Sequence, residues 1–143
     1  MKKWLVILSL IAIVIVWKFV LSPTKLEFTD RFKVFNGLNF AVQYKDKVAE
    51  YWRENNALPT RDQWDETPHT IEVDFQNSLV ESIEVGVAGP GVISITYTNT
   101  RDNSVSSVIN DKKLYLTPEI RGDEVVWSCK GDLPADFLPK PCR

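Results

Sequence analysis

The chain has 143 residues, 44% of them hydrophobic and 25% charged, and a formal net charge of −2. That is enough for one hydrophobic core and too little for a second independent domain, and the composition excludes collagen-like, coiled-coil and low-complexity classes. Three of the 17 Lys and Arg residues lie in the first twenty positions with no acid beside them, so 14 remain against 19 acids, net −5. An acidic remainder is a poor match for a phosphate backbone, which disfavours nucleic acid as a partner.

From Trp4 to Leu21 the run WLVILSLIAIVIVWKFVL holds only Ser9 and Lys18 as polar residues. Eighteen helical residues span roughly 27 Å, close to the hydrocarbon thickness of a bilayer. Lys18 lies near enough to the end for its amine to reach the headgroups, and Trp4 and Trp17 suit the two interfacial belts. A cleaved secretory signal is the alternative, with Lys2 and Lys3 as its charged start. The one tolerable cut, after Ser22, would leave Pro23 directly past it, so a retained single-pass anchor is the expectation.

Ser22 and Pro23 place a kink or restart after the run, since proline suits a first helical turn and breaks an interior one. Beyond it Phe28, Phe32, Phe35, Leu38, Val42, Ala49 and Trp52 fall on one face at helical spacing. This predicts one long helix, ended by Asn55-Asn56 and Pro59, whose aromatic stripe needs an apolar cover. Phe40, Tyr44 and Tyr51 form a second flank around the axis. The segment over 57–79 is their expected cover, and a protein interface is the alternative.

That segment is polar and broken by proline, and reads as a loop with one short alternating stretch over 71–75. Asp62, Asp65 and Glu66 match no calcium-loop spacing and read as a solvated acidic loop, so no metal site is expected. His69 follows Pro68 with no motif linking it to a nucleophile, and an enzyme is not expected. No cofactor or small-molecule substrate is implied.

Four strand-like runs follow: 80–87, 92–98, 112–117 and 124–129. In the first, Ile83, Val85 and Val87 share a side; in the second, Ile93, Ile95 and Tyr97; in the third, Leu114 and Leu116. Gly86, Gly89 and Gly91 read as a strand end and a hairpin, not as a phosphate loop. Short turns favour an antiparallel sheet with one apolar face, and the helix's aromatic stripe is its expected cover, which makes an α+β fold.

The last segment, 130–143, contains Pro134, Pro139 and Pro141 and cannot continue a sheet. Cys129 and Cys142, behind an export segment, read as a disulfide that pins it back. Two cysteines and a distant His69 fall short of a metal site. A loop held at both ends is a candidate recognition surface, with Lys130, Asp132, Asp136, Phe137 and Lys140 as its contact residues. The flanking charges orient the span weakly, and the cysteine pair places the head outside the cytoplasm.

In order and spacing VESIEV, GPGVISITYT, KKLYLTPEI, VVWSC and DLPADFLPKPC resemble the sheet and disulfide-bounded loop of type IV pilins, over roughly residues 42–143. The most specific parts are the LTP of Leu116 to Pro118, the WSC of Trp127 to Cys129 and the closing LPKPC. The resemblance implies a long helix packed on a four-stranded antiparallel sheet, divided into a transmembrane half-helix over 1–22 and a globular domain over 23–143. It also implies a bacterial inner-membrane location with a periplasmic head, or a place in the pilus. Other pilin subunits or pilus assembly proteins are the implied partners, and adhesion, motility or DNA uptake the implied roles. The amino terminus departs from the family pattern: the first glycine is Gly37 and no acid precedes Glu27, whereas prepilins carry Gly-Phe at the start of the apolar run and an acid soon after. Two roles follow, a pilin-like contributor to a pilus system or adhesion, and a tethered pilin mimic that regulates assembly or uptake.

Overall fold

The computed structural model describes residues 25–68, 71, 73–76, 78–100 and 107–142, the side chains of 25–30 and 141 excepted. The apolar run over 4–21 and the Ser22-Pro23 break lie outside these. Among the described residues no helix is long and apolar enough to cross a membrane.

Helix α1, Lys25–Asn55, lies across one face of a four-stranded antiparallel sheet. The strands are β1 (Val80–Val85), β2 (Ile93–Tyr97), β3 (Lys113–Arg121) and β4 (Glu124–Gly131), adjacent in chain order. The α+β expectation holds. Strands consecutive in the chain are neighbours in the sheet: the β1–β2 and β3–β4 connections are short, and a longer one over 98–112 joins β2 to β3.

The core side of α1 differs from the expected one. Val34, Ala41 and Val48 are fully buried, flanked by Leu38, Phe40 and Tyr44, whereas Phe32, Phe35 and Val42 are 59%, 48% and 50% exposed. Of the expected stripe, Phe32, Phe35 and Val42 therefore look away from the sheet, whereas Leu38 packs against the core and Ala49 and Trp52 are half-buried. A sheet packs closest where the helix is smooth, and valine, glycine and alanine at steps of three and four make that smooth face. Gly37 shows how tight it is: a methyl group there would meet Tyr97 Oη at 2.5 Å. From β2, Tyr97 passes under the helix and donates its hydroxyl to Val34 O at 2.9 Å.

Ile93, Ile95 and Tyr97 share the core side with Leu114 and Leu116 as their alternation predicts, all but buried. Strand β1 stops earlier than expected, at Val85. Gly86 turns the backbone to φ +82, a region open to glycine, and Val87 is left in the turn, 46% exposed. A side chain at Gly86 would also meet the Thr60 carbonyl carbon at 2.6 Å.

Strand β3 runs past Pro118, where the sequence reading stopped. The Tyr97 N–H to Lys112 O bond at 2.9 Å sets which residues of β3 face β2: Lys112, Leu114, Leu116 and next Pro118. The β2–β3 pairing ends at Ile93 and Leu116, so the proline's missing donor falls where no strand remains to accept it. Toward β4 the alternate residues keep their bonds, and pairing continues from Leu114–Gly131 to Arg121–Glu124.

Candidate functional site

The 57–79 segment is the first of two arms that close on α1. Within it Arg61–Glu66 forms a short helix, α2, where the sequence reading had a loop. Thr60 and Gln63 make a reciprocal capping box: Thr60 N–H donates to Gln63 Oε1 at 3.0 Å, and Gln63 N–H donates to Thr60 Oγ1 at 3.4 Å. The signal was legible as Thr-x-x-Gln. The box orients Trp64, buried, so that its ring stacks on Tyr44 at 6.4 Å between centroids and 22° between planes. Phe75 meets Phe40 edge-on at 5.5 Å. Tyr51 borders a polar groove with Lys47, Glu54, Thr67 and Pro68. The segment thus lies over Phe40 and Tyr44 and leaves all three candidate interface residues partly buried. The stretch over 71–75 contains no strand among its described residues, and His69 lies outside them. Asp62, Asp65 and Glu66 are exposed on α2, and no group of acids, histidines or cysteines able to hold a metal occurs among the described residues.

The second arm is the carboxyl-terminal loop. Cys129 and Cys142 are bonded, with their Cα atoms 4.5 Å apart. Leu133 and Leu138 enter the core between them, so the loop is pinned at four points. The candidate recognition residues separate into different tasks. Asp132 accepts Lys113 N–H with its carboxylate while its own N–H donates to Lys113 O at 3.0 Å, extending the β3–β4 ladder by one rung. Lys130 is exposed on β4. Asp136, Phe137 and Lys140 instead come to the helix. Asp136 lies 3.9 Å from Arg31, and Phe137 to Lys140 form one wall of an apolar groove of about 310 Å³. Its other wall is Arg31, Phe32 and Phe35 of α1. The composite groove was not legible, because the Phe32 stripe was assigned to the core.

Electrostatics on the helix are mild. Lys45 sits 5.5 Å from the Trp127 ring centroid, closing the side of α1 toward β4, and burial pushes its amine below the usual lysine range. Burial raises Tyr44 and, further, Tyr97 above the ordinary tyrosine range. In each case burial in the packed interior is the leading cause.

Helix, sheet, capped first arm and disulfide-closed second arm form one contiguous unit, and a family model described as pilin, a bacterial filament protein, matches it over residues 31–143. The chain belongs to the pilin family. No curated relative matches it. As in the sequence resemblance, the pilin match takes in all four strands and both cysteines, and it extends the helical part from about residue 42 back to Arg31. The groove between helix and loop is built entirely from residues within that matched region.

Proposed function

We propose that this pilin is a membrane-anchored, non-enzymatic protein of a type IV pilus system or of cell adhesion, held in the bacterial inner membrane by residues 4–21 with its head on the periplasmic side or in the pilus. The observation that carries the reading is the family match over 31–143 preceded, nine residues earlier, by an eighteen-residue apolar run of bilayer length. Its partners are other pilin subunits or pilus assembly proteins. The disulfide supports a head that matures outside the cytoplasm.

The second reading, a tethered mimic that binds pilins or the assembly machinery and regulates assembly or uptake, is favoured by one feature. Neither a Gly-Phe pair nor an acid occurs before Glu27. An acid within an apolar bundle neutralises a neighbour's freed amino terminus, and that pairing is worth more in low dielectric. Mass spectrometry of the mature protein from cells separates the two. A cut and methylated amino terminus supports a filament subunit, and an intact one supports the tethered form. A freely soluble protein with both thiols reduced would remove both.

A further inference from the structure

The exposed face of α1 changes character along its length. Phe32, Phe35 and Val42 stand on it, each about half exposed, and the same face continues into Asp46, Glu50 and Arg53, all exposed. Its apolar part is the part nearer residues 4–21. The carboxyl-terminal loop adds the half-buried Phe137 and Pro139 at that same end, lining the groove together with Arg31, which faces Asp136, and the exposed Lys140. The other exposed large hydrophobics, Val87, Val108 and Ile120, are single residues on other elements.

We propose that this face is a bilayer-contacting surface: in the anchored protein the Phe32–Val42 side of α1 and the Phe137–Lys140 edge lie against the headgroup region of the membrane that holds residues 4–21. The inference rests on the anchored reading above. Three observations select the membrane as occupant. Phe32 lies eleven positions after Leu21, so even a fully extended chain keeps the ring within about 40 Å of the end of the span. A proline stands at position 23 of the sequence, between the span and α1, where a helix break is expected that would let α1 turn toward the plane of the bilayer. Apolar character that fades with distance from the anchor is what depth along a membrane surface demands. A second copy would need more surface. Stable protein interfaces bury about 800 Å² per partner, whereas two half-exposed phenylalanines and a valine offer roughly 300 Å². A tethered face needs no such area, because the anchor already supplies a high effective concentration. Phenylalanine beside an exposed lysine such as Lys140 suits the acyl–headgroup boundary. The net −5 beyond residue 20 leaves the apolar contacts, not bulk charge, to hold the face down.

The test uses the full chain in nanodiscs of phosphatidylethanolamine and phosphatidylglycerol, with one added thiol carrying a nitroxide, since the native cysteines are bonded to each other. Labels go to Asn39→Cys, exposed on the face, to Ala12→Cys within the span and to Asp123→Cys at the β3–β4 turn. Collision with oxygen against collision with a nickel complex reports depth. The expected result is an oxygen-favoured label at 12, an intermediate one at 39 and a nickel-favoured one at 123, with the signal at 39 becoming that of 123 in Phe32→Glu/Phe35→Glu. An oxygen-favoured 12 with a fully hydrated 39 overturns the inference and leaves the anchor standing. A label at 39 shielded from both reagents, with spin–spin broadening that vanishes on dilution into unlabelled protein, overturns it in favour of a second copy. A hydrated label at 12 removes the anchored reading and the inference together.

Discussion

Tyr97 and Gly37 meet where the helix comes closest over β2, with no room for a side chain between them. An added methyl at Gly37 favours a helix by about 1 kcal/mol in an exposed position, but here it would drive into a fully buried ring with no room to retreat. Overpacking of this kind costs about 1–3 kcal/mol, so Gly37→Ala is expected to destabilise despite its better propensity. Removing the phenol oxygen relieves the nearest contact, and Gly37→Ala is therefore expected to cost less in a Tyr97→Phe background. A double-mutant cycle by urea unfolding in detergent checks the sign of this coupling. Alone, Tyr97→Phe forfeits the bond to Val34 O and is expected to cost about 1 kcal/mol at pH 7.

The same tyrosine predicts a pH response. Its folded-state pKa is raised above the unfolded value, so its contribution is complete below about pH 10, the ordinary tyrosine range, and is lost as pH rises further toward the folded value. The stability difference between wild type and Tyr97→Phe is expected to shrink from pH 7 to pH 11 in paired unfolding curves. A constant difference would show that the hydroxyl does not ionise on unfolding.

Among the elements, α2 depends most on one local signal. Thr60→Ala removes one half of its capping box and is expected to cost about 1 kcal/mol, with the loss read in the fluorescence of Trp64 as its stack on Tyr44 loosens. The motif stood in the sequence, but six residues are too few for a hydrophobic period to reveal a helix. The length of β3 beyond the expected 112–117 was hidden for a different reason. A proline ends a strand only if its absent donor faces a neighbour, and whether a neighbour stands on that side depends on where β2 stops. That is a fact of tertiary pairing. Ile93, Ile95, Tyr97, Leu114 and Leu116 were legible because period two survives whatever the strands pair with.

For the whole molecule, architecture was legible and the helix's orientation was not. Large aromatic residues at helical spacing suggested the buried face, yet close approach of a sheet selects the small residues instead, and Val34, Gly37, Ala41 and Val48 carry little hydrophobic signal individually. The disulfide holds the second arm to this architecture. Replacing Cys129 and Cys142 by serine together is expected to lower stability by about 3 kcal/mol in the chain-entropy account. Calorimetry of the paired variants checks the size. Proteolysis near Phe137 checks whether the loop leaves α1.

Pro118 leaves one more mark on the molecule. Past Leu116 the β3–β4 hairpin has lost its flank to β2, and a side chain at its apical Gly122 would touch nothing within 4 Å. Extra residues spliced between Gly122 and Asp123 would lengthen an appendage without disturbing anything beneath it. A short antibody tag placed there is expected to leave the melting temperature within a degree or two of wild type, giving a handle for following the protein in living cells.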